Sequence, residues 1–316
     1  MIFAIPYGGL GNQLFSYAFA RSIQEETGEK IYMSKKFFDW FYRKTPYAPF
    51  FFADYYFLPP SNSTILKNNF SLVLFFCFYG FVHFLFKYIL QEKPENLSPK
   101  KFIQKTKWGI YYSKNEDCLI SGIHDLSLQM PVKYVEGLYQ WSDLLLPIRK
   151  QLQKDFTLKQ SFQGNDKKIL EQIKKTQSVC LHIRRGDYFN PKVLIWSNVC
   201  NYTYYKNAMD YIVNQLHDPI FFVFSDEIDW VKKNYNIPYK HIFIDENHAA
   251  PLELELMRNC KHFILSNSSF SWWAQFLAEY DSSVVVAPNP WLADGRKCSI
   301  YMKNWHMIDC YGGMDK

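Results

Sequence analysis

The fold class is decided by the stretch Ser178-Val179-Cys180-Leu181-His182-Ile183-Arg184-Arg185-Gly186-Asp187-Tyr188. Its first residues are an apolar run that predicts a short buried β-strand. Charged residues follow at the end of the strand, which is where ligands bind in α/β proteins. A guanidinium is permanently charged and forks onto phosphate oxygens, and Gly186 allows a tight turn close to a ligand. The stretch therefore predicts a site for an anion such as a diphosphate, with a surface salt-bridge cluster as the alternative.

The second half of the chain repeats this alternation of strands and helices. Residues 220–224 are a continuous apolar run, typical of a parallel strand covered on both faces. Residues 262–265 predict another strand. Further strands are predicted at 242–244 and at 284–287, the last of the chain, and helices at 167–175, 202–216, 229–235, 252–259 and 271–278. Parallel strands end at one edge of a sheet, so we expect the polar clusters that follow them to line one pocket.

The first half opens with the same kind of unit. Residues 2–6 predict a strand, which leads through the loop Tyr7-Gly8-Gly9-Leu10-Gly11-Asn12-Gln13-Leu14 into a helix with an apolar stripe at three- and four-residue spacing. A strand, a glycine loop and a helix N-terminus make the anion-binding start of a Rossmann-like unit. The motif G-x-G-x-x-G is not completed, which argues against a nicotinamide or flavin site.

The rest of the first half predicts two domains rather than one. We expect irregular structure at 35–65, a loop at 91–107, a strand at 133–137 and a helix at 142–156. Residues 159–166 are polar and contain Gly164, which indicates a linker. The predicted domains are therefore residues 1–158, with an aromatic helical insertion near 65–90, and residues 159–316.

Composition narrows the class of protein. The chain has 316 residues and a net charge of +6 without a compact basic block, which favours acidic ligands or anionic membranes over nucleic acid. Its seven cysteines are odd in number and form no C-x-x-C pair, so neither a disulfide framework nor a zinc ribbon is predicted. We interpret Cys180 and Cys260 as core thiols. A reducing, cytoplasmic setting fits best, and no signal peptide is expected at the start of the chain.

Residues 68–86 carry no Lys, Arg, Asp or Glu, and as a helix they would nearly cross a bilayer. A spanning helix would separate the glycine loop near Gly9 from Arg184 and Arg185, so these groups could not share a site. We expect instead a helix buried against the first domain, or one lying in the membrane interface with Lys67 and Lys87 at its ends.

The polar clusters of the second half suit a nucleoside diphosphate. The arginines can bind phosphates, and Ser268, Ser269 and the start of the helix near Ser271 can hold phosphate oxygens. Asp226 follows the strand at 220–224, where its carboxylate can accept a hydrogen bond from guanine or ribose. Its alternative role is that of a helix N-cap.

These blocks together resemble the α-1,2-fucosyltransferases of glycosyltransferase family 11. The blocks that carry the resemblance are His182-x-Arg184-Arg185-Gly186-Asp187-Tyr188, Phe222-Val223-Phe224-Ser225-Asp226, Ser266-Asn267-Ser268-Ser269-Phe270-Ser271-Trp272-Trp273, Gly8-Gly9-Leu10-Gly11-Asn12-Gln13-Leu14 and Gly137-Leu138-Tyr139-Gln140. They occur in the family's order from residue 7 to about residue 273. No family motif is found at 35–130, the expected acceptor side, so the acceptor glycan is not predicted.

The resemblance implies an α/β architecture of GT-B type, in which two Rossmann-like domains face a cleft. It also implies inverting transfer of L-fucose from GDP-β-L-fucose to the 2-hydroxyl of a β-galactoside, in surface polysaccharide or O-antigen synthesis. The predicted donor-binding residues are His182, Arg184, Arg185, Ser225, Asp226, Asn267, Ser268, Ser269 and Phe270. The residues predicted to face the cleft from the N-terminal domain are Gly9, Gly11, Asn12 and Gln13.

The predicted mechanism uses no metal and no cofactor. The chain contains no D-x-D motif, so we expect Arg184, with Arg185 beside it, to stabilise the departing GDP in place of a divalent ion. The sugar carbon has oxocarbenium character, as in glycoside hydrolysis. Asp187 either acts as the general base or orients an arginine.

For several residues the sequence allows two roles. His182 either contacts the nucleotide or packs at the strand end. Asn12 and Gln13 either face the ligand or cap their helix, and Trp272 and Trp273 are expected in the core rather than against a sugar.

Two other functions are compatible with the sequence. One is a transferase that uses another nucleotide sugar. The other is a non-catalytic sugar-binding or membrane-scaffold protein, which the segment 68–86 and the 19% aromatic content favour. We expect a bacterial protein in the cytoplasm, peripheral to the inner face of the membrane if the segment touches lipid.

Overall fold

The computed structural model describes residues 1–6, 8–43, 51–114, 126–191, 194, 197, 199–245, 248–280, 282–296 and 298–310. Tyr7 of the glycine loop and Cys118 lie outside the described residues. The chain divides into two compact units, one of Met1–Lys159 with Cys298–Ile300 and one of Gln160–Lys297 with Tyr301–Lys316. Residues 298–300 thus belong to the first unit, where Ser142 donates a backbone hydrogen bond of 2.9 Å to the carbonyl of Ser299.

The first unit is built on a five-stranded parallel sheet in the order β3-β2-β1-β5-β4. Its elements, in chain order, are β1 (Ile2–Ile5), α1 (Leu10–Thr27), β2 (Ile31–Ser34), α2 (Lys35–Tyr42), β3 (Ser63–Leu66), α3 (Asn69–Phe84), α4 (Pro99–Thr106), β4 (Ile110–Ser113), β5 (Lys133–Gly137), α5 (Ser142–Leu145) and α6 (Arg149–Asp155). The central strands β1 and β5 are buried at every position, as expected for a sheet covered on both faces.

Three sequence predictions for this unit are wrong in part. Residues 35–65 are not irregular throughout: α2 is capped by the Ser34 side chain, which accepts a hydrogen bond from Phe37 N, and β3 follows. The predicted loop at 91–107 contains α4, capped by Ser98 with Pro99 in its first turn. The predicted helix at 142–156 is interrupted by a 3₁₀ turn around Pro147, because proline lacks the N–H that a continuous helix needs.

The apolar helix α3 continues as a π-helical segment (Leu85–Leu90) and lies across the sheet. Successive turns of this helix contact successive strands. The contacts, in order along it, are Ser71 with Ser34 of β2, Phe78 with Phe3 of β1, His83 with Glu136 of β5 and Phe86 with Tyr112 of β4. One face of the predicted insertion is therefore buried against the first unit.

The second unit contains a six-stranded parallel sheet in the order β11-β10-β9-β6-β7-β8. Its elements are α7 (Gly164–Lys175), β6 (Gln177–Ile183), α8 (Tyr202–Gln215), β7 (Pro219–Ser225), α9 (Ile228–Asn234), β8 (His241–Phe243), α10 (Ala250–Arg258), β9 (His262–Ile264), α11 (Ser269–Leu277), β10 (Val285–Asn289) and β11 (His306–Asp309). The prediction that the strand at 284–287 is the last is wrong, because β11 is mostly exposed and offers no apolar run to detect.

The strand order of this sheet identifies a candidate ligand site. Counted within the unit it runs 3-2-1-4-5-6, the order of dinucleotide-binding folds, and it reverses between β6 and β9. A crevice opens at such a reversal, beyond the carboxyl ends of the two strands. The motif at 182–188 follows β6 and the motif at 266–270 follows β9, so both flank the reversal point.

The core of the second unit agrees with the sequence prediction. Trp272 and Trp273 are fully buried and pack on Phe276, which confirms their assignment to the core. Cys180 and Cys260 are buried free thiols, also as predicted.

Candidate active site

A side-chain hydrogen bond joins the two strand ends at the reversal point. His182 Nδ1 lies 2.8 Å from Ser266 Oγ, and both residues are buried. Burial, with a smaller effect of the Arg184 charge, lowers the pKa of His182 to about 3. The imidazole is therefore neutral at pH 7 and adds no charge to the site. This placement brings His182 next to Phe270, whose ring centroid is 5.8 Å away.

Arg184 is held between two carboxylates. Its Nε and Nη2 donate hydrogen bonds of 3.1 and 2.6 Å to Asp187 Oδ1, and Nη1 lies 3.2 Å from Asp226 Oδ2. Burial lowers the pKa of Arg184, but Asp226 and Asp187 together raise it above the ordinary value. The side chain keeps 29% exposure, and its two hydrogen bonds use two of its five N–H donors. Arg184 is thus oriented, ionised and able to bind an anion.

Asp226 supports this arrangement and does not cap a helix. Its Oδ1 accepts a hydrogen bond of 2.9 Å from the backbone N–H of Arg185, while the helix that follows has no side-chain cap. Burial raises the pKa of Asp226 and Arg184 lowers it, with a net rise. A β-carbon at position 186 would collide with Asp226 Oδ2. Gly186 therefore permits the close approach of this carboxylate, which would have to shift if position 186 carried a side chain, and the helix-cap alternative for Asp226 is wrong.

Arg185 has a different environment from its neighbour. Its Nε donates a 3.0 Å hydrogen bond to Glu227 Oε2, and its guanidinium carbon lies 3.1 Å from the ring centroid of Trp230 and 4.5 Å from that of Phe189. The side chain is 5% exposed. The Arg185 guanidinium is enclosed by these partners. The residue therefore fits a structural role, holding β6 to α9, better than the predicted contact with phosphate.

The cluster carries no net positive charge. Two arginines face three carboxylates, those of Asp187, Asp226 and Glu227. Glu253, in the first turn of α10, interacts electrostatically with Asp226 and Arg184. Burial raises the pKa of Glu253 to about 7, partly opposed by His248. Binding of an anion must therefore rely on directed N–H donors rather than on net charge, and a protonated Glu253 favours it.

The loop after β9 supplies both buried and accessible groups. Asn267 and Ser268 are buried. The side-chain amide of Asn267 donates a hydrogen bond of 3.1 Å to Ser197 O, and its carbonyl oxygen accepts one from the Cys200 thiol. Ser268 caps α11, because its Oγ accepts a hydrogen bond of 3.2 Å from Phe270 N. Ser269 and Phe270 are partly exposed at the start of this helix. Asn267 and Ser268 thus fix the conformation of the loop, while Ser269 and Phe270 are the loop residues accessible to a ligand.

Ser225 lies at the end of β7, beside the cluster. Its Oγ accepts a hydrogen bond of 3.1 Å from the backbone N–H of Glu227, and the residue is partly exposed. This bond forms the turn that brings Asp226 toward Arg184. Ser225 therefore shapes the site whether or not it contacts a ligand.

The residues predicted in the first unit occupy the start of α1. The helix begins at Leu10, so Gly11, Asn12 and Gln13 are helical rather than in a loop, with Gly9 at the N-cap. Asn12 is partly exposed, and its Oδ1 accepts from Gln140 Nε2 at 3.2 Å.

Gln13 departs from its prediction. It is fully buried, with Nε2 donating to Gly8 O at 3.0 Å and Oε1 accepting from Phe52 N at 3.1 Å. The prediction that Gln13 faces a ligand is wrong, because both ends of its amide bind within the first unit.

Sequence reasoning missed Glu253, Glu227 and Trp230. An acidic residue in the first turn of a helix is a common stabilising feature, so Glu253 carries no distinctive signal in the sequence. Among the described residues, no group of three or more His, Cys, Asp or Glu side chains is arranged to hold a metal ion.

Comparison with known proteins defines the class. The family model described as Glycosyl transferase family 11 matches residues 1–309. The α-1,2-colitosyltransferase of Escherichia coli is 29% identical over 290 residues, which cover 90% of each chain. The O-antigen biosynthesis glycosyltransferase WbnK of Escherichia coli is 27% identical, covering 94% of this chain and 97% of that protein. Galactoside α-(1,2)-fucosyltransferase 1 of Aotus azarae is 28% identical over 146 residues, covering 43% of this chain and 40% of that protein.

Solved structures agree on the fold. The fucosyltransferase NodZ from Bradyrhizobium matches with a TM-score of 0.53 at 12% identity, covering 88% of this chain and 92% of that one. Together with the two parallel α/β sheets, this likeness confirms the predicted α/β fold of GT-B type. The family model over residues 1–309 shows that the protein is a glycosyltransferase. The chain belongs to glycosyl transferase family 11, which confirms the resemblance found in its sequence.

Proposed function

We propose that this protein transfers L-fucose from GDP-β-L-fucose to the 2-hydroxyl of a galactose-containing glycan, with inversion at the sugar carbon. The observation that carries the proposal is Arg184, a partly exposed and oriented guanidinium at the strand reversal of a Rossmann-like sheet. Two of its relatives are named for α-1,2 transfer of colitose and of fucose, and a third for O-antigen biosynthesis. The product is then a component of a surface polysaccharide.

The proposed reaction is a single displacement. The 2-hydroxyl oxygen of the acceptor forms a bond to the anomeric carbon as the bond from that carbon to the β-phosphate oxygen breaks. Negative charge grows on the departing GDP, and the N–H donors of Arg184 stabilise it in the transition state. The start of α11 adds the backbone N–H and the hydroxyl of Ser269 at the same edge of the sheet. This charge stabilisation takes the role that a divalent ion plays in metal-dependent transferases.

Asp187 is proposed to orient Arg184. Its Oδ1 accepts both Arg184 hydrogen bonds, and within the described part of the chain Oδ2 has no hydrogen-bond partner. The acceptor hydroxyl must also lose its proton. The alternative role of Asp187 is therefore that of the general base, and a substitution is needed to distinguish the two roles. Asp226 holds the opposite side of the guanidinium and faces the same edge, where it is proposed to accept a hydrogen bond from the guanosine.

Colitose is the second donor sugar to consider, because the α-1,2-colitosyltransferase matches this chain along nine-tenths of its length. Colitose differs from fucose by lacking the 3-hydroxyl, so the same GDP site serves both donors. The reaction is proposed to occur in the cytoplasm, since the described cysteines are all free thiols.

The test is a transfer assay with the purified chain. GDP-L-fucose, GDP-L-colitose and GDP-mannose are each offered with β-galactosides and β-glucosides, with and without EDTA. We expect GDP release with GDP-L-fucose and a galactoside, no effect of EDTA, and an α-1,2 linkage by NMR. Transfer only from another donor contradicts the fucose proposal. Calorimetry that detects no GDP binding, together with binding of a galactoside, establishes a sugar-binding protein instead.

A further inference from the structure

The outer face of α3 is apolar and exposed. Its buried face carries Ser71, Phe75 and Val82, and the π-helical segment adds Phe86. The opposite face presents large hydrophobic side chains that are 48% to 72% exposed: Phe70, Val73, Phe76, Phe81, Phe84, Tyr88 and Ile89. A helix that is apolar on both sides belongs in a protein core or against lipid. Among the described residues the outer side has little protein cover, and Phe76 packs edge-on against Trp40 with 5.1 Å between ring centroids.

A groove extends this face beside the helix. It has a volume of about 470 Å³ and runs between α3 and the edge of the sheet formed by β4. Phe81 and Leu85 line one wall, and Trp108 and Met130 line the other. No charged side chain lines it. Of the thirteen large hydrophobic side chains exposed in the described residues, nine lie on α3, its π-helical segment or this groove.

The segment of chain that carries the apolar face is also rich in lysine, of which Lys101 and Lys105 pair with Glu92. The segment from Lys67 to Trp108 contains seven lysines and two glutamates, a net charge of +5 in a chain whose total is +6. The exposed lysines are Lys67, Lys87, Lys93, Lys100, Lys101 and Lys107. Lys87 lies 4.9 Å from the ring centroid of Tyr88, and Lys105 lies 5.8 Å from that of Trp108. Trp and Tyr beside Lys are the residues that favour the headgroup region of a bilayer.

We propose that this face is a membrane-binding surface, and that its partner is an anionic phospholipid bilayer. The exposed side chains of α3 enter the interface between headgroups and acyl chains, the groove beside Phe81 accepts apolar lipid, and the lysines contact anionic headgroups. The exposed lysines of this segment favour lipid over an uncharged apolar partner, since a positively charged apolar surface is complementary to an anionic bilayer.

The helix lies on the bilayer and does not cross it. The 22 residues Asn69–Leu90 are long and apolar enough to span a membrane by length and composition. However, the inner face contacts four neighbouring strands in turn, and His83 Nε2 lies 2.9 Å from Glu136 Oε2 of the central strand β5. Spanning would require α3 to leave the sheet and expose the buried Glu136. A helix that keeps these contacts offers lipid one face only.

Flotation of the full chain with vesicles tests the proposal. Vesicles of phosphatidylcholine alone are compared with vesicles containing phosphatidylglycerol at about one part in four. We expect binding to the anionic vesicles that weakens as salt rises. Phe84→Ser is expected to reduce the partition coefficient about tenfold, and the double variant Lys67→Gln/Lys87→Gln is expected to reduce it on anionic vesicles only.

The matched control is Phe57→Ser, because Phe57 is as exposed as Phe84 but lies outside this face. It is expected to bind vesicles as the wild type does. All three variants change exposed side chains, and circular dichroism verifies that each is folded. Two results overturn the proposal. One is a folded wild-type chain that binds neither vesicle. The other is a dimer, seen by sedimentation, that Phe84→Ser dissociates, because a second copy then covers the face.

Discussion

His182 Nδ1 and Ser266 Oγ lie 2.8 Å apart, and this hydrogen bond joins the carboxyl ends of β6 and β9 where the strand order reverses. Because both groups are buried, neither can exchange its partner for water. The bond fixes the separation of the two loops that carry Arg184 and Ser269. The geometry of the candidate anion site therefore depends on a pair of residues that need not touch the ligand.

Ser266→Ala tests this pair. The substitution leaves His182 Nδ1 buried without a hydrogen-bond partner, which costs about 1–3 kcal/mol of unfolding free energy. Urea unfolding followed by circular dichroism measures the change. Ser269→Ala, in the same loop but partly exposed, serves as the control and is expected to stay within about 0.5 kcal/mol of the wild type. Equal stability of the two variants contradicts a role for the His182 bond.

Gly186→Ala tests the close approach of Asp226. The added methyl group displaces the Asp226 carboxylate from Arg184 and from the backbone of Arg185. We expect a loss of about 1–3 kcal/mol in unfolding free energy, together with weaker GDP binding by calorimetry. Gly80→Ala is the control, because a β-carbon there meets open space. A Gly186→Ala variant with wild-type stability and GDP affinity shows that Asp226 can move without consequence.

Arg184→Lys is expected to keep the fold and lose most transfer activity. A lysine cannot donate to Asp187 and to phosphate oxygens in the same forked geometry, so transition-state stabilisation falls. We expect kcat to fall by about a hundredfold or more. Arg296→Lys changes an exposed arginine outside the site and is expected to leave kcat unchanged. Turnover of Arg184→Lys within a few-fold of the wild type contradicts the proposed role.

Asp187→Asn separates the two roles of Asp187. Asparagine keeps an oxygen that accepts from Arg184 but cannot take a proton. If Asp187 orients Arg184, kcat falls about tenfold and GDP binding weakens, because the charged hydrogen bonds are lost. A fall in kcat above about a thousandfold at unchanged GDP affinity identifies Asp187 as the general base instead.

Glu253 makes the stability of the protein depend on pH. Burial raises its pKa from 4.5 to about 7, so the folded protein keeps a proton that the unfolded chain has released. Stabilisation from this proton is full below about pH 4.5 and is lost as the pH rises through 7. Relative to Glu253→Gln, the wild type is expected to lose about 1–2 kcal/mol of unfolding free energy between pH 5 and pH 8, after discounting for partial exposure.

The same carboxylate, once ionised, adds negative charge near Arg184. GDP affinity is therefore expected to weaken above pH 7 in the wild type and to change less in Glu253→Gln. Glu171→Gln, which alters an exposed carboxylate on α7, is the control. Parallel pH profiles for the wild type and Glu253→Gln contradict the assignment of Glu253 to the site.

Local patterns in the sequence were sufficient for the strands that carry the site and for most helices of the second half. An apolar run such as residues 220–224 is visible because burial on both faces imposes it along consecutive residues. The helix start at Asn201 is also visible, because its side chain accepts from Tyr204 N within one turn. The strands β2, β3, β4 and β11 were missed, because their sequences I-Y-M-S, S-T-I-L, I-Y-Y-S and H-M-I-D mix polar with apolar residues and form no continuous apolar run.

The sequence by itself determined the family, the parallel α/β architecture and the presence of Arg184 at a strand end, because these follow from contiguous residues. Only the tertiary structure decided which polar groups are available to a ligand. Arg184 and Arg185 are adjacent in the chain, yet the guanidinium of Arg184 is partly exposed between carboxylates and that of Arg185 is enclosed by Trp230 and Phe189. Packing against distant residues sets exposure, pairing and protonation, and no local pattern encodes those neighbours.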